Sequence, residues 1–261
     1  MRRLVILMIL IFLVGCNKDY AVDAIAHPVY IPVKNRVAEY IKDDSPSINL
    51  KKDLGELYAE TEEYDWYKLE NVNNIEYLIQ KTEDGILTLW HFDSFLTEDA
   101  SDQVKEGFPY AEFDAWSYGE EMLYIYNVDC AESIGSITVR AASHGDVEKL
   151  NEITDEIETI EIENRDEIEY LYDILSDRKC FGYGSEFRIH FRSPEIQAEI
   201  EADQDNEFYY MRELEIYLKD GTSIKGLNYS SAAGVFFKYL EYEPVDEDTA
   251  VNLDAILKIS F

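Results

Sequence analysis

Basic side chains are scarce in this chain. Lysine and arginine together number 23, against 55 aspartates and glutamates, which gives a formal net charge of −32. Proteins that bind nucleic acids neutralise phosphates with clustered lysine and arginine, so this shortage argues against a nucleic-acid partner. It also disfavours direct adsorption of the protein to an anionic lipid surface.

Sequence motifs of the common catalytic chemistries are missing as well. The chain has no Gly-x-Ser-x-Gly, no His-Glu-x-x-His, no phosphate-binding loop and no dinucleotide fingerprint. Among 55 carboxylates, pairs at catalytic spacing arise by chance, so no general acid and base can be named. We therefore predict no catalytic residue and no cofactor from the sequence, and we leave open whether the protein is an enzyme.

Two patterns were weighed as metal sites. His91 and His190 could share a metal, although histidines beside aromatic residues in strands are more often packed or exposed. The alternating carboxylates of residues 201–207 resemble a calcium loop, but one starting at Asp203 would need glycine and glutamate where Phe208 and Leu214 stand. A solvated loop is the favoured interpretation, and we predict no metal site.

A long apolar run occurs at the start of the chain. Arg2 and Arg3 precede eleven consecutive apolar residues, 4–14, which is the layout of a secretory signal. A transmembrane helix needs about 17 to 25 apolar residues, so this run is too short to cross a bilayer. We interpret residues 1–15 as a signal peptide, with a buried, packed N-terminal helix as the alternative.

The end of this run, Leu13-Val14-Gly15-Cys16, resembles the lipobox of bacterial lipoproteins. The resemblance implies that the Cys16 thiol receives a diacylglyceryl group and that a signal peptidase then cuts between Gly15 and Cys16. Stable anchoring needs two hydrophobic signals, and a diacylglyceryl group supplies two acyl chains. The resemblance thus implies an extracytoplasmic protein held to a bacterial membrane through the lipid on Cys16.

The rest of the chain is predicted to fold as an α+β protein with antiparallel sheets and packed helices. We expect a lipidated tether over residues 16–30, an N-terminal α+β unit over 31–156 and a C-terminal α+β unit over 157–261. Residues 68–78 align without a gap to residues 161–171. The alignment predicts two related units, each with a strand, a helix and three strands, and chance similarity in an acidic, isoleucine- and tyrosine-rich chain is the alternative.

Periodicity and end signals predict the individual elements. Helices are expected after Pro32 and over residues 48–63, 164–175, 232–240 and 246–259, with Asn164 as an N-cap. Strands are expected over residues 86–92, 121–129, 136–139, 212–220 and 223–229. Asp220-Gly221 is a turn dipeptide between the last two strands.

Cys130 and Cys180 remain after Cys16 is assigned to lipid. Outside the cytoplasm two cysteines can form a disulfide, and two separate thiols are the alternative. The sequence leaves both open.

Charge and tyrosine content suggest what the protein does. Its 20 tyrosines are many for 261 residues, and tyrosine is enriched at interfaces, although it is also a good strand residue. We expect a lipid-anchored binding module whose acidic surface engages a basic protein, peptide or wall component. An immunity-type inhibitor of a basic toxin is one version of it. A cell-envelope hydrolase with unidentified carboxylates, or a purely structural or calcium-linked function in the envelope, is the alternative.

The lipobox gives a direct test at Cys16. We expect Cys16→Ser to block lipid attachment and to leave an unprocessed precursor, because serine lacks the thiol that accepts the lipid. Metabolic labelling with a radioactive fatty acid, followed by mass analysis of the N-terminus, measures both steps. Continued labelling and cleavage of the serine variant after Gly15 would show that the lipobox assignment is wrong.

Overall fold

A computed structural model describes residues 28–43, 48–61, 64–142, 159–182, 211–231, 233–238 and 241–259. These residues form two antiparallel sheets and four helices, which confirms the predicted α+β class. The chain divides into two compact units. The first unit comprises Met1–Ala115 with Tyr124–Asn127, and the second comprises Trp116–Leu123 with Val128–Phe261. No helix in the described part of the chain is long and apolar enough to span a membrane.

The first unit contains a six-stranded sheet in the order β1-β2-β6-β5-β4-β3. Its strands are β1 (Val29–Val33), β2 (Arg36–Asp43), β3 (Leu54–Glu60), β4 (Tyr64–Leu69), β5 (Tyr77–Thr82) and β6 (Leu87–Phe95), and a short helix, α1 (Asp102–Gly107), follows. One face of the sheet carries a row of large buried side chains: Tyr40, Trp66, Leu78, Trp90 and Phe92. The ring centroids of Trp66 and Trp90 lie 6.2 Å apart, and the Trp90 Nε1 donates a hydrogen bond of 3.2 Å to buried Gln80.

The second unit contains a seven-stranded sheet in the order β8-β7-β10-β11-β12-β13-β9. Its elements are the helix α2 (Tyr118–Tyr124), β7 (Ile134–Ala141), β8 (Ile160–Ile162), the helix α3 (Arg165–Ser176), β9 (Cys180–Gly182), β10 (Met211–Leu218), β11 (Ser223–Ser230), β12 (Val235–Phe237), β13 (Glu241–Tyr242) and the helix α4 (Glu247–Ile256). The last residue of α2 is counted with the first unit.

The helices α3 and α4 begin as the sequence predicts. The Asn164 side chain accepts a hydrogen bond of 3.0 Å from the Asp166 N–H, as an N-cap does. The buried face of α3 consists of Ile168, Leu171 and Leu175. Asp246 caps α4 by accepting a bond of 2.9 Å from the Thr249 N–H. The predicted turn between β10 and β11 is also present, with Gly221 at a φ of +93°.

The predicted repeat is wrong. Residues 161–171 form β8 and the start of α3, whereas residues 70–76 form turns and irregular backbone and residues 77–82 form β5. Asn71 has a φ of +63°, so it lies in a turn and does not have the extended backbone of an N-cap. Ile75 and Leu78 are buried, but neither lies on a helix.

Several predicted elements take another form. Residues 29–43 form the β1–β2 hairpin, residues 54–60 form β3, and residues 235–237 form β12, where the sequence predicted helices. The strand predicted over residues 121–129 is replaced by α2 and irregular backbone. The apolar residues of a short segment can fit the period of a helix and the period of a strand equally well. In these segments the pairing with neighbouring strands determines that the backbone is extended.

The division of the chain also differs from the expected one. The boundary at residues 156 and 157 lies outside the described residues, but β7, which was assigned to the N-terminal unit, pairs with β8 and β10 of the second sheet. Cys16, the leader and the tether up to residue 27 lie outside the described residues, as do His190 and the acidic residues 201–207.

The helix α3 offers a test of the second unit. Leu171 is 0% exposed, so we expect Leu171→Ala to lower the free energy of unfolding by about 2–5 kcal/mol through lost burial and a cavity. The exposed Glu169 of the same helix provides the control, because Glu169→Ala is expected to change stability by less than about 0.5 kcal/mol. Urea denaturation followed by circular dichroism measures both, and equal effects would contradict the assigned core.

Candidate interaction surface

An acidic stretch of the first unit is the clearest candidate for a functional surface. We call residues 97–115 the acidic segment. It contains one basic residue, Lys105, and six acidic residues, all of them exposed: Glu98, Asp99, Asp102, Glu106, Glu112 and Asp114. The Lys105 Nζ donates a hydrogen bond to the backbone carbonyl oxygen of Glu98. The segment thus presents a strong local excess of negative charge.

A helix and a buried ring give this segment a defined shape. Ser101 caps α1, since its hydroxyl oxygen accepts a hydrogen bond of 3.4 Å from the Val104 N–H. The helix ends at Phe108, whose ring is 8% exposed and whose backbone N–H bonds to the Lys105 carbonyl at 3.1 Å. Two of the six acidic residues, Asp102 and Glu106, therefore lie on a helix.

The end of the segment is fixed to the β1–β2 hairpin. The Glu112 N–H donates a hydrogen bond of 2.7 Å to the Asn35 carbonyl, and the Asn35 side-chain amide donates one of 2.5 Å to the Glu112 carboxylate. The Arg36 guanidinium, only 3% exposed, lies 2.6 Å from the Asp114 carboxylate and 2.9 Å from the Asp114 carbonyl oxygen. A buried cation thus holds the end of an otherwise anionic segment.

Tyr110 stands out from the other tyrosines of this structure. Its side chain is 96% exposed, whereas five other tyrosines are buried in the two cores: Tyr40, Tyr118, Tyr126, Tyr229 and Tyr242. Core packing therefore accounts for part of the abundance of tyrosine. An exposed ring among carboxylates suits a lysine ammonium or an arginine guanidinium, which the ring attracts through its π face and the carboxylates through charge.

A pair of carboxylates lies elsewhere on the first sheet. Glu39 on β2 is opposite Ser94 on β6, and the next residue of β2, Tyr40, is opposite Phe92. Asp93 lies between these two partners on β6 and is therefore the extra residue of a β-bulge. Burial raises the pKa of Glu39, and the negative charge of Asp93 raises it further. Burial and the charge of Glu39 likewise raise the pKa of Tyr30.

His91 lies beside a carboxylate in the first unit. Its Nε2 is 3.7 Å from the Glu76 carboxylate, which also accepts a hydrogen bond of 3.0 Å from the Tyr126 hydroxyl. The imidazole ring packs against Tyr77 with 4.8 Å between ring centroids. Among the described residues no group of three or more histidine, cysteine or carboxylate side chains is arranged to hold a metal. His190 lies outside them, so the shared-metal hypothesis is untested.

The second unit buries an ion pair. The Lys238 Nζ lies 3.3 Å from one Glu121 oxygen, and the Tyr242 hydroxyl donates a hydrogen bond of 3.0 Å to the other. The side chains of Lys238 and Glu121 are 5% and 2% exposed. Burial, followed by the charge of Glu121, raises the pKa of Tyr242 far above its ordinary value. This cluster ties α2 to β13 and the residue after β12.

The pKa of Glu215 on β10 is shifted in the opposite direction to the pKa of Glu39. Burial alone would raise its pKa, but the net shift is downward because hydrogen bonds from Tyr217, Ser223 and Arg140, and the charge of Lys225, favour the carboxylate. The Ser223 hydroxyl donates at 3.1 Å, and the Lys225 Nζ lies at 3.5 Å. The anion is therefore the form that the fold stabilises.

Cys130 and Cys180 do not form a disulfide with each other. Cys180 is buried and Cys130 is partly exposed. A hydrogen bond with Asp129 is the largest cause of a raised pKa for the Cys130 thiol. A raised pKa lowers the fraction of reactive thiolate, which makes Cys130 a poor nucleophile.

Comparisons with known proteins give no match: no family model, no curated protein and no solved structure is significantly similar to the chain. Sequence analysis found the overall acidity and His91, but it did not single out Tyr110 or the Arg36 anchor. The carboxylates that flank Tyr110 in the sequence were the signal that could have identified it. The Arg36 anchor had no such signal, because it depends on a contact between residues that are distant in the sequence.

Glu39 and Glu215 make opposite contributions to the pH dependence of folding. The folded-state pKa of Glu39 lies above its ordinary value of 4.5, so stability falls as pH rises from that value through the folded pKa. The folded-state pKa of Glu215 lies below 4.5, so its contribution is present above 4.5 and is lost as pH falls through the folded pKa. We expect Glu39→Gln to remove the first dependence and Glu215→Gln to remove the second.

Urea midpoints between about pH 3 and pH 7 measure these dependences, and the two variants serve as controls for each other because each replaces one carboxylate by an amide. If both variants changed the pH profile in the same direction, the opposite electrostatic settings assigned to Glu39 and Glu215 would be wrong.

The buried ion pair predicts a non-additive response. Glu121→Gln and Lys238→Met should each lower the free energy of unfolding by about 3–5 kcal/mol, because each leaves a buried charge without its counter-ion. The double variant should cost less than the sum of the two, and Tyr242→Phe, which keeps both charges, should cost only about 1.5–3 kcal/mol. Urea denaturation of the four variants measures this, and strict additivity would contradict the pairing.

Proposed function

We propose that this chain is a lipid-anchored, extracytoplasmic binding module whose acidic segment engages a basic protein, peptide or cell-wall component. The acidic segment carries the proposal. It combines six exposed carboxylates with one lysine whose ammonium bonds to the backbone, and its single tyrosine, Tyr110, is 96% exposed. Such a surface gives long-range attraction to cations and a contact for them at short range.

The anchor in this proposal comes from the sequence alone. Arg2 and Arg3, the apolar residues 4–14 and the lipobox ending at Cys16 support a lipid attached to Cys16 and a bacterial membrane as the site of anchoring. A negatively charged domain is repelled by an anionic membrane surface, so charge favours its extension away from the lipid.

An immunity-type inhibitor of a basic toxin is a specific form of the same proposal. Its support is the acidity of the chain together with the proposed location outside the cytoplasm. It requires a tight complex in which the carboxylates of the acidic segment meet lysine and arginine side chains of the toxin.

A cell-envelope hydrolase is the second candidate, and one observation favours it. Glu39, whose pKa is raised by burial and by Asp93, has the electrostatic setting of a general acid beside a second carboxylate. Hydrolysis of purified cell wall by the protein, abolished in Glu39→Gln and kept in Glu215→Gln, would support this candidate against the binding module.

The binding proposal is tested by removing charge from the acidic segment. We expect the triple variant Glu98→Gln, Asp99→Asn and Glu106→Gln to associate more slowly with a fluorescent decalysine peptide. A triple variant of exposed acids in the second unit, Glu161→Gln, Glu169→Gln and Asp173→Asn, changes the net charge equally and should have a smaller effect. Stopped-flow fluorescence of the soluble chain from residue 18 onward measures the rates.

Two further results test the electrostatic and the aromatic parts of the proposal. Association should slow as salt rises from about 0.01 M to about 0.1 M, over which the screening length falls from about 30 Å to about 10 Å. Tyr110→Ala should shorten the lifetime of the complex about two- to five-fold, while Tyr110→Phe, which keeps the ring, should not. Equal slowing by both triple variants, or rates that do not respond to salt, would overturn the proposed surface.

A further inference from the structure

No further inference is drawn: the strongest candidate, the carboxylate pair of Glu39 and Asp93 at the bulge between β2 and β6 in the first unit, is a small acidic cluster beside which nothing in the structure points to a ligand.

Discussion

Basic side chains are too few in this protein to neutralise its acidic ones. With 23 basic residues against 55 acidic ones, most carboxylates cannot have a cation of their own. In the described part of the chain three cations have buried side chains: Arg36, Arg212 and Lys238. Each holds separate pieces of backbone together, since Arg36 secures the acidic segment, Arg212 bonds the carbonyl oxygen of Lys258 after α4, and Lys238 meets Glu121 of α2. Arg36 and Lys238 also neutralise one carboxylate each, Asp114 and Glu121.

A buried ion pair is a weak source of net stability, because the loss of hydration offsets the attraction between the charges. A buried ion pair has a clearer effect on which of several possible structures the chain adopts. Glu121 can be buried only where Lys238 and Tyr242 reach its two oxygens, so a different placement of α2 would leave an unpaired charge in the core. The same reasoning applies to Arg36, whose burial is compatible only with a hairpin next to Asp114. The buried cations therefore contribute more to which structure the chain adopts than to the net stability of that structure.

The sequence allowed α3, α4 and the β10–β11 hairpin to be predicted because their signals are local. Asn164 and Asp246 are side-chain caps, and Asp220-Gly221 suits a turn with positive φ. A further local signal was missed before α2, where Ser117 and Glu120 exchange side-chain to backbone hydrogen bonds of 3.1 and 2.9 Å in the pattern of a capping box. The strands β1, β2, β3 and β12 could not be predicted in this way, since their short apolar segments fit a helix equally well until a partner strand is known. The same limit applies to the candidate surface: Arg36 and Asp114 are 78 positions apart, and no local pattern joins them.

Order in the acidic segment matters for what it can bind. A flexible acidic tail attracts cations equally well at long range, but it loses conformational freedom when it forms a complex, which weakens the binding. The cap at Ser101, the buried ring of Phe108 and the anchor at Arg36 remove much of that cost before any partner arrives. Charge alone speeds association but gives little selectivity. Salt screens the long-range attraction, so only short-range contacts distinguish one basic partner from another. In the proposed binding module the exposed ring of Tyr110 would supply such a contact, and selectivity would then depend on the order of the segment as well as on its charge.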